Sequence, residues 1–76
     1  MKRYTALITT THFGFRLPCS YFTENGAIKN SRRMVECMKK TDRRMRNEKI
    51  TCIEVYEIPS KTASLADGKM VSFVCA

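Results

Sequence analysis

The sequence predicts a small α+β fold in which one amphipathic helix packs on one face of an antiparallel sheet. Three observations support this fold class. The central segment, residues 29–49, has the composition and the apolar spacing of a helix. The segments on either side of it are rich in β-branched residues or alternate apolar and polar residues, as strands do. Asp67 and Gly68, near the C-terminus, form a two-residue turn signal that is typical of a β-hairpin.

Two strands precede the helix and are expected to pair as a hairpin. Residues 3–11 are rich in β-branched side chains, and residues 13–21 alternate apolar and polar side chains with a period of two. Residues 11–14 turn the chain between them. Pro18 has no N–H group to donate, which places the second strand at an edge of the sheet.

The helix is predicted to begin near Ala27 or Ser31 and to end near Asn47. Thr23 would cap an earlier start, but Gly26 disfavours a helix there. At 100° per residue, four apolar residues fall on one side of this helix and would close the core: Met34, Val35, Met38 and Met45.

Asp42 does not fit this helix, because it falls within the apolar arc. Two interpretations remain open. Asp42 pairs with Arg46 one turn further on, or Thr41 and Asp42 mark a break in the helix and a second cap.

Three strands are predicted after the helix, in residues 50–58, 61–66 and 69–75, which gives the order β–β–α–β–β–β within one domain spanning residues 1–76. If the helix crosses back over one face, the third strand lies against the first, and the spatial order begins 2-1-3. The last hairpin then either extends the sheet beyond the third strand or folds out as an arm.

The composition and the residue inventory favour a non-enzymatic protein without a cofactor. No stretch approaches the roughly 20 apolar residues of a membrane span, and the N-terminal apolar run is too short for a signal peptide, so a cytoplasmic protein is expected. His12 is the single histidine, and the three glycines lie too far apart for a phosphate-binding loop. Glu54 and Glu57 are three residues apart on a strand and point to opposite faces, which argues against acid–base chemistry by a carboxylate pair.

The cysteines are interpreted as reduced residues of the core. Successive cysteines are 18, 15 and 23 positions apart, so none of the close pairs of a structural zinc site is present. Nothing indicates secretion, which disfavours disulfides. Each cysteine instead lies in an apolar pattern, where a free cysteine behaves as a small hydrophobic residue: Cys19, Cys37, Cys52 and Cys75.

Positive charge is concentrated in residues 29–49, which hold nine of the fourteen Lys and Arg residues and carry a net charge of +6 out of +7. The sequence therefore predicts that one helix face docks on a polyanion, either nucleic acid or an acidic patch of a partner protein. Six phosphate contacts would lower the affinity by roughly three decades between 50 and 200 mM salt. The expected binding residues are Arg32, Arg33, Lys39, Lys40, Arg43, Arg44 and Arg46.

Three alternatives accompany this prediction. Tyr4, Phe22 and Tyr56 could form an aromatic platform for RNA on the open face of the sheet. The small core and the methionines also suit a phage or mobile-element inhibitor that blocks a host protein or nucleoprotein complex. In the third alternative, the charge serves solubility alone.

Overall fold

The computed structural model describes residues 2–60 and 63–75, and its strands form one antiparallel sheet with a helix on one face. The helix and strands are β1 (Arg3–Thr10), β2 (Gly14–Arg16), α1 (Glu24–Thr41), β3 (Ile50–Ile58) and β4 (Lys69–Cys75). A short 3₁₀ turn, Arg43–Met45, follows α1, and another, Leu65–Asp67, precedes β4. In space the strands follow the order β2-β1-β3-β4, which confirms the predicted α+β class and the 2-1-3 arrangement.

The core lies between α1 and the two central strands. Ala6 and Ile8 of β1 pair in register with Val55 and Ile53 of β3, so all four side chains share the face that the helix covers. The helix meets this face along the line of Ala27, Ser31 and Val35, three buried residues spaced by four. The Ser31 hydroxyl donates to the carbonyl of Ala27 at 2.7 Å.

The predicted apolar stripe is confirmed only in part. Val35 and Met45 are buried, whereas Met34 and Met38 are half-buried at the margin of the core. Met45 belongs to the 3₁₀ turn after the helix and not to the helix itself.

The second strand is much shorter than predicted. It pairs with β1 only over Gly14–Arg16, after which the N–H of Leu17 still donates to the carbonyl of Ala6 at 3.0 Å. Pro18 has no N–H group, so the ladder cannot continue through it. The chain rejoins β1 at Tyr21, whose backbone exchanges two hydrogen bonds with that of Tyr4.

Both predicted ends of the helix are wrong. The helix begins at Glu24, because the Thr23 hydroxyl caps it by accepting from the N–H of Gly26 at 2.9 Å. It ends at Thr41. Asp42 has an extended backbone and caps the next turn by accepting from the N–H of Arg44 at 2.9 Å. The interpretation of a break and a second cap is therefore confirmed, and the pairing of Asp42 with Arg46 is wrong.

The strand predicted over residues 61–66 is not found in its described part. Lys61 and Thr62 lie outside the described residues, and Leu65–Asp67 forms a 3₁₀ turn. Ser64 stabilises this turn locally, since its carbonyl accepts from the N–H of Asp67 at 3.1 Å and its hydroxyl donates to the Asp67 carboxylate at 3.2 Å. The strand predicted over residues 69–75 is confirmed as β4, which extends the sheet beyond β3.

The prediction of core cysteines is wrong. Cys19, Cys37 and Cys75 are exposed, and Cys52 is half-buried. Cys37 lies on α1 away from the line of small residues that contacts the sheet, whereas Cys52 and Cys75 lie on the sheet face that the helix does not cover. An apolar pattern reveals that a segment has two faces, but it does not reveal which face is covered.

Mild oxidation should join Cys52 to Cys75, because these residues are directly opposed in the antiparallel register of β3 and β4. Opposed residues have Cα atoms about 4.5 to 5.5 Å apart, within the range that a disulfide spans. Incubation with oxidised glutathione should produce a peptide linked through these two cysteines, detectable by mass spectrometry without reduction. Cys75→Ser is the control. A different pair of linked cysteines would contradict the register of β4.

Candidate polyanion-binding surface

The predicted binding residues of α1 do not all lie on one side of the helix. Arg33 and Lys40 are exposed and project nearly opposite to Val35, which contacts the sheet. Arg32 is exposed and Lys39 is half-buried, and both line a groove together with Val35. The predicted placement away from the sheet therefore holds for Arg33 and Lys40, whereas Arg32 and Lys39 lie at the margin of the covered side, and the binding role of all four stays a prediction.

Four cations cluster where the helix ends. Asp42 stops α1, and the 3₁₀ turn that follows redirects the chain so that Arg43 and Arg46 come beside Lys39 and Lys40. The resulting concave surface, called here the C-terminal groove, has a volume of about 460 Å³. Its lining consists of Lys39, Lys40, Thr41, Asp42, Arg43 and Arg46.

The acid in the C-terminal groove is already paired. The Asp42 carboxylate lies 3.0 Å from Nη2 and 3.3 Å from Nε of Arg44, and it also accepts from the N–H of Arg44. These hydrogen bonds to Arg44 lower the pKa of Asp42 below its usual value and raise that of Arg44. The negative charge of Asp42 is therefore compensated by Arg44, which lies outside the groove, and the four cations of the groove retain their positive charge.

Arg44 belongs to a different surface from the other predicted cations. It lines a smaller pocket of about 260 Å³ with apolar side chains that include Phe13, Phe15 and Met45. Since its guanidinium is engaged by Asp42, Arg44 serves the cap of the turn. The sequence placed Arg44 with the binding residues because an unbroken helix would have aligned it with them.

The cations of the C-terminal groove have no ion-pair partners among residues 2–60 and 63–75. The ion pairs in this part of the chain join Lys2 to Glu57, His12 to Glu48 and Arg44 to Asp42. The end of α1 carries a partial negative charge of about half an elementary charge, which the four cations exceed several-fold. The groove can therefore accept an external anion without first breaking an internal pair.

A second groove lies between α1 and β4, called here the α1–β4 groove, with a volume of about 470 Å³. Arg32 and Lys39 lie on its helix side, so the two grooves adjoin at Lys39. Unlike the C-terminal groove, it has an apolar floor. Its lining consists of Arg32, Val35, Glu36, Lys39, Glu48, Lys49, Ile50, Ile53 and Val74.

The proposed aromatic platform is not assembled as expected. Tyr4 packs against the core on the helix side of the sheet. Phe22 is 68% exposed and lies outside the strands, with the Arg3 guanidinium 4.2 Å from its ring centroid. Tyr56 does lie on the open face, where its hydroxyl donates to Glu54 at 2.7 Å and this hydrogen bond raises the pKa of Tyr56. The carboxylate of Glu54 makes this face unfavourable for phosphate.

Sequence reasoning missed Phe73, the aromatic residue that is most exposed on the sheet. It lies opposite Glu54 on the open face and is 53% exposed. The alternation of residues 69–75 indicated a strand with two faces, but no local signal showed that the helix covers only the other face.

Sequence reasoning also missed a buried carboxylate. Glu48 is 3% exposed, and its Oε1 accepts from the Thr10 hydroxyl at 2.8 Å and from the N–H of His12 at 2.7 Å. Its Oε2 lies 2.7 Å from His12 Nδ1, which must carry the proton because an ionised carboxylate only accepts. The hydrogen bonds from His12 are the main cause that lowers the pKa of Glu48. This cluster ties the turn after β1 to the segment before β3.

Two further features bear on the class of site. Within the described residues, no three His, Cys, Asp or Glu side chains come together in a way that could hold a metal ion. None of the helices in that part of the chain is long and apolar enough to cross a membrane. Comparisons of the chain with protein-family models, curated proteins and solved structures gave no match.

Proposed function

We propose that the protein is a non-enzymatic binding protein whose basic surface docks on a polyanion, with the phosphate backbone of nucleic acid as its first candidate ligand. The observation that best supports this proposal is the C-terminal groove, a concave surface lined by Lys39, Lys40, Arg43 and Arg46. The acid of its lining, Asp42, is already paired with Arg44. The exposed Arg33 extends this surface along α1.

The chemistry of these side chains suits phosphate. Arginine presents a planar fork of donors that matches two phosphate oxygens, and lysine supplies a compact charge with three donors. Because the groove contains two of each, it can hold consecutive phosphates of a strand without reading bases. The expected binding is therefore largely independent of sequence.

A salt titration tests this function. Four phosphate contacts on a duplex predict a slope of about −3.6 in a plot of log affinity against log salt, which corresponds to a loss of about 150-fold between 50 and 200 mM. Fluorescence anisotropy with a labelled generic DNA duplex and the matching RNA measures this slope. No binding to either probe at about 50 mM salt would contradict the proposal.

A partner protein is the second candidate ligand, and a specific observation favours it. Met70 and Phe73 are 49% and 53% exposed on β4, although neither is needed for contact with phosphate. Exposed apolar residues at a sheet edge are typical of protein-binding surfaces. The alternative of a phage or mobile-element inhibitor that blocks a host protein belongs to this class and stays a prediction.

A further inference from the structure

β4 forms an edge of the sheet that is not protected in the usual ways. It is paired with β3 on one side, and no other strand of the described residues pairs with its outer side. Natural edge strands are blunted by proline, by inward-pointing charges or by being very short. The opposite edge, β2, has three residues and is followed by Pro18, whereas β4 has seven residues and one charge, Lys69, at its start.

The two sides of this edge differ in chemistry. On the open face, Met70 and Phe73 share the side of Tyr56 and Glu54, their partners on β3, and are largely exposed. On the helix face, Val74 lies opposite Ile53 and forms part of the floor of the α1–β4 groove. A strand added to β4 would thus meet apolar side chains on one face and this groove on the other.

The α1–β4 groove combines an apolar floor with a basic rim. Val35, Ile50, Ile53 and Val74 line the floor, whereas three cations line the rim, namely Arg32, Lys39 and Lys49. The two acids of the lining differ in how far they compensate the charge of the rim cations. Glu48 is buried and already accepts hydrogen bonds from Thr10 and His12, so Glu36 is the acid that opposes the rim cations.

The strand that pairs with the outer side of β4 could come from a second copy of the chain or from a different protein, and the charge of the groove favours a different protein. Antiparallel pairing of β4 with its own copy would place both helices on the same face of a joined sheet, each with its basic rim toward the junction. The rims would repel, and each chain carries a net charge of +7. An acidic segment meets the same rim with attraction.

We propose that the β4 edge binds an extended, acidic segment of a partner protein, which adds to the sheet as a fifth strand. In this segment, acidic residues alternate with apolar ones. The acidic side chains face the helix, where their methylene groups cover Val74 and their carboxylates reach Lys39 and Lys49. The apolar side chains face the open side and cover Met70 and Phe73. This inference goes beyond the proposed phosphate binding and uses a different part of the molecule, with Lys39 shared.

The test uses a synthetic peptide of alternating glutamate and valine, about seven residues long, to match β4. Fluorescence anisotropy with the labelled peptide should show saturable binding to the full chain. Two control peptides should each bind more weakly than the test peptide, by a factor of about ten or more. One has proline in place of the central valine and cannot complete the ladder, and the other has lysine in place of every glutamate.

Two variants and one control variant locate the binding site. Lys49→Glu replaces a cation of the rim by an acid and should weaken peptide binding about five-fold. The control variant is Lys29→Glu, which reverses an exposed charge on α1 outside the groove. Its affinity for the peptide should stay within about two-fold of that of the unchanged protein. Val74→Lys places a charge on the floor and should abolish binding. Circular dichroism checks that each variant is folded. If Val74→Lys does not fold, the comparison of Lys49→Glu with Lys29→Glu still tests the proposal.

Three outcomes overturn the proposal: equal binding of the proline peptide, an equal loss for Lys29→Glu and Lys49→Glu, or no binding of the alternating peptide. Sedimentation equilibrium that shows a dimer lost in Val74→Lys would assign the edge to a second copy and overturn it as well. Because Arg43 and Arg46 do not line the α1–β4 groove, peptide binding should survive their reversal. Failure of the phosphate-binding function and failure of this inference are therefore distinguishable.

Discussion

Reversal of Arg43 and Arg46 to glutamate should weaken the binding of a DNA duplex about 100-fold at 50 mM salt. Both residues are exposed and line the C-terminal groove without an internal ion pair among the described residues. Each phosphate contact that is lost removes the release of about 0.9 counterions, which at this salt concentration corresponds to more than ten-fold in affinity. The salt slope should become shallower by about 1.8.

The matched control is the double reversal of Lys29 and Lys69, which changes the net charge equally at two exposed positions outside the C-terminal groove. Anisotropy with the same duplex should give a loss of less than about ten-fold for this variant, since only long-range attraction is reduced. Equal losses for both double variants would show that binding depends on total charge and not on the groove. Arg44 is unsuited to this test, because its reversal would also break the cap at Asp42.

Replacement of the buried Glu48 by glutamine should destabilise the protein more than neutralisation of any exposed charged side chain among the described residues. The amide keeps one acceptor oxygen for the Thr10 hydroxyl and the N–H of His12, and its NH₂ group can donate to Nδ1 only when the His12 ring carries its proton on Nε2. Because hydrogen bonds to an ionised carboxylate are then replaced by bonds between neutral groups, which are about half as strong, thermal unfolding followed by circular dichroism should show a decrease in Tm of about 5 °C at neutral pH.

The loss of Tm caused by Glu48→Gln should become smaller at low pH. The pKa of Glu48 is lower in the folded chain than its usual value of 4.5, so the folded state favours the ionised carboxylate. This contribution to stability is fully present above the unfolded-state pKa and is lost as the pH falls through the folded-state pKa. The Tm difference between the wild type and the glutamine variant should therefore be constant above about pH 6 and shrink below 4.5.

His12→Ala provides the comparison within this cluster. It removes the Nδ1 donor but keeps the backbone N–H and the Thr10 hydroxyl, so the loss in Tm should be less than half of that for Glu48→Gln. A Tm difference for Glu48→Gln that stays the same down to about pH 3 would contradict the assignment of the carboxylate as ionised and hydrogen-bonded.

The features that repeat along the chain were predictable from the sequence alone. The spacing of apolar and basic residues between Arg32 and Arg46 predicted a helix with two faces, which ends at Thr41, and the β-branched runs predicted the two central strands. The strand order 2-1-3 also followed, because a hairpin and a helical crossover leave the third strand beside the first. These properties depend on residues that are a few positions apart in the chain, and the periodicity of the sequence shows directly how such residues are spaced.

The faces and charges that stay free depend on contacts between distant parts of the chain. Glu48 is 38 residues from Thr10 in the chain, so no local pattern could show that its carboxylate is buried and hydrogen-bonded. The Asp42 cap moved Arg44 away from the basic face by changing the direction of the chain after Thr41. The helix covers the centre of the sheet and leaves Phe73 and the outer edge of β4 uncovered. Such outcomes arise from contacts between distant segments, and these contacts exist only once the chain has folded.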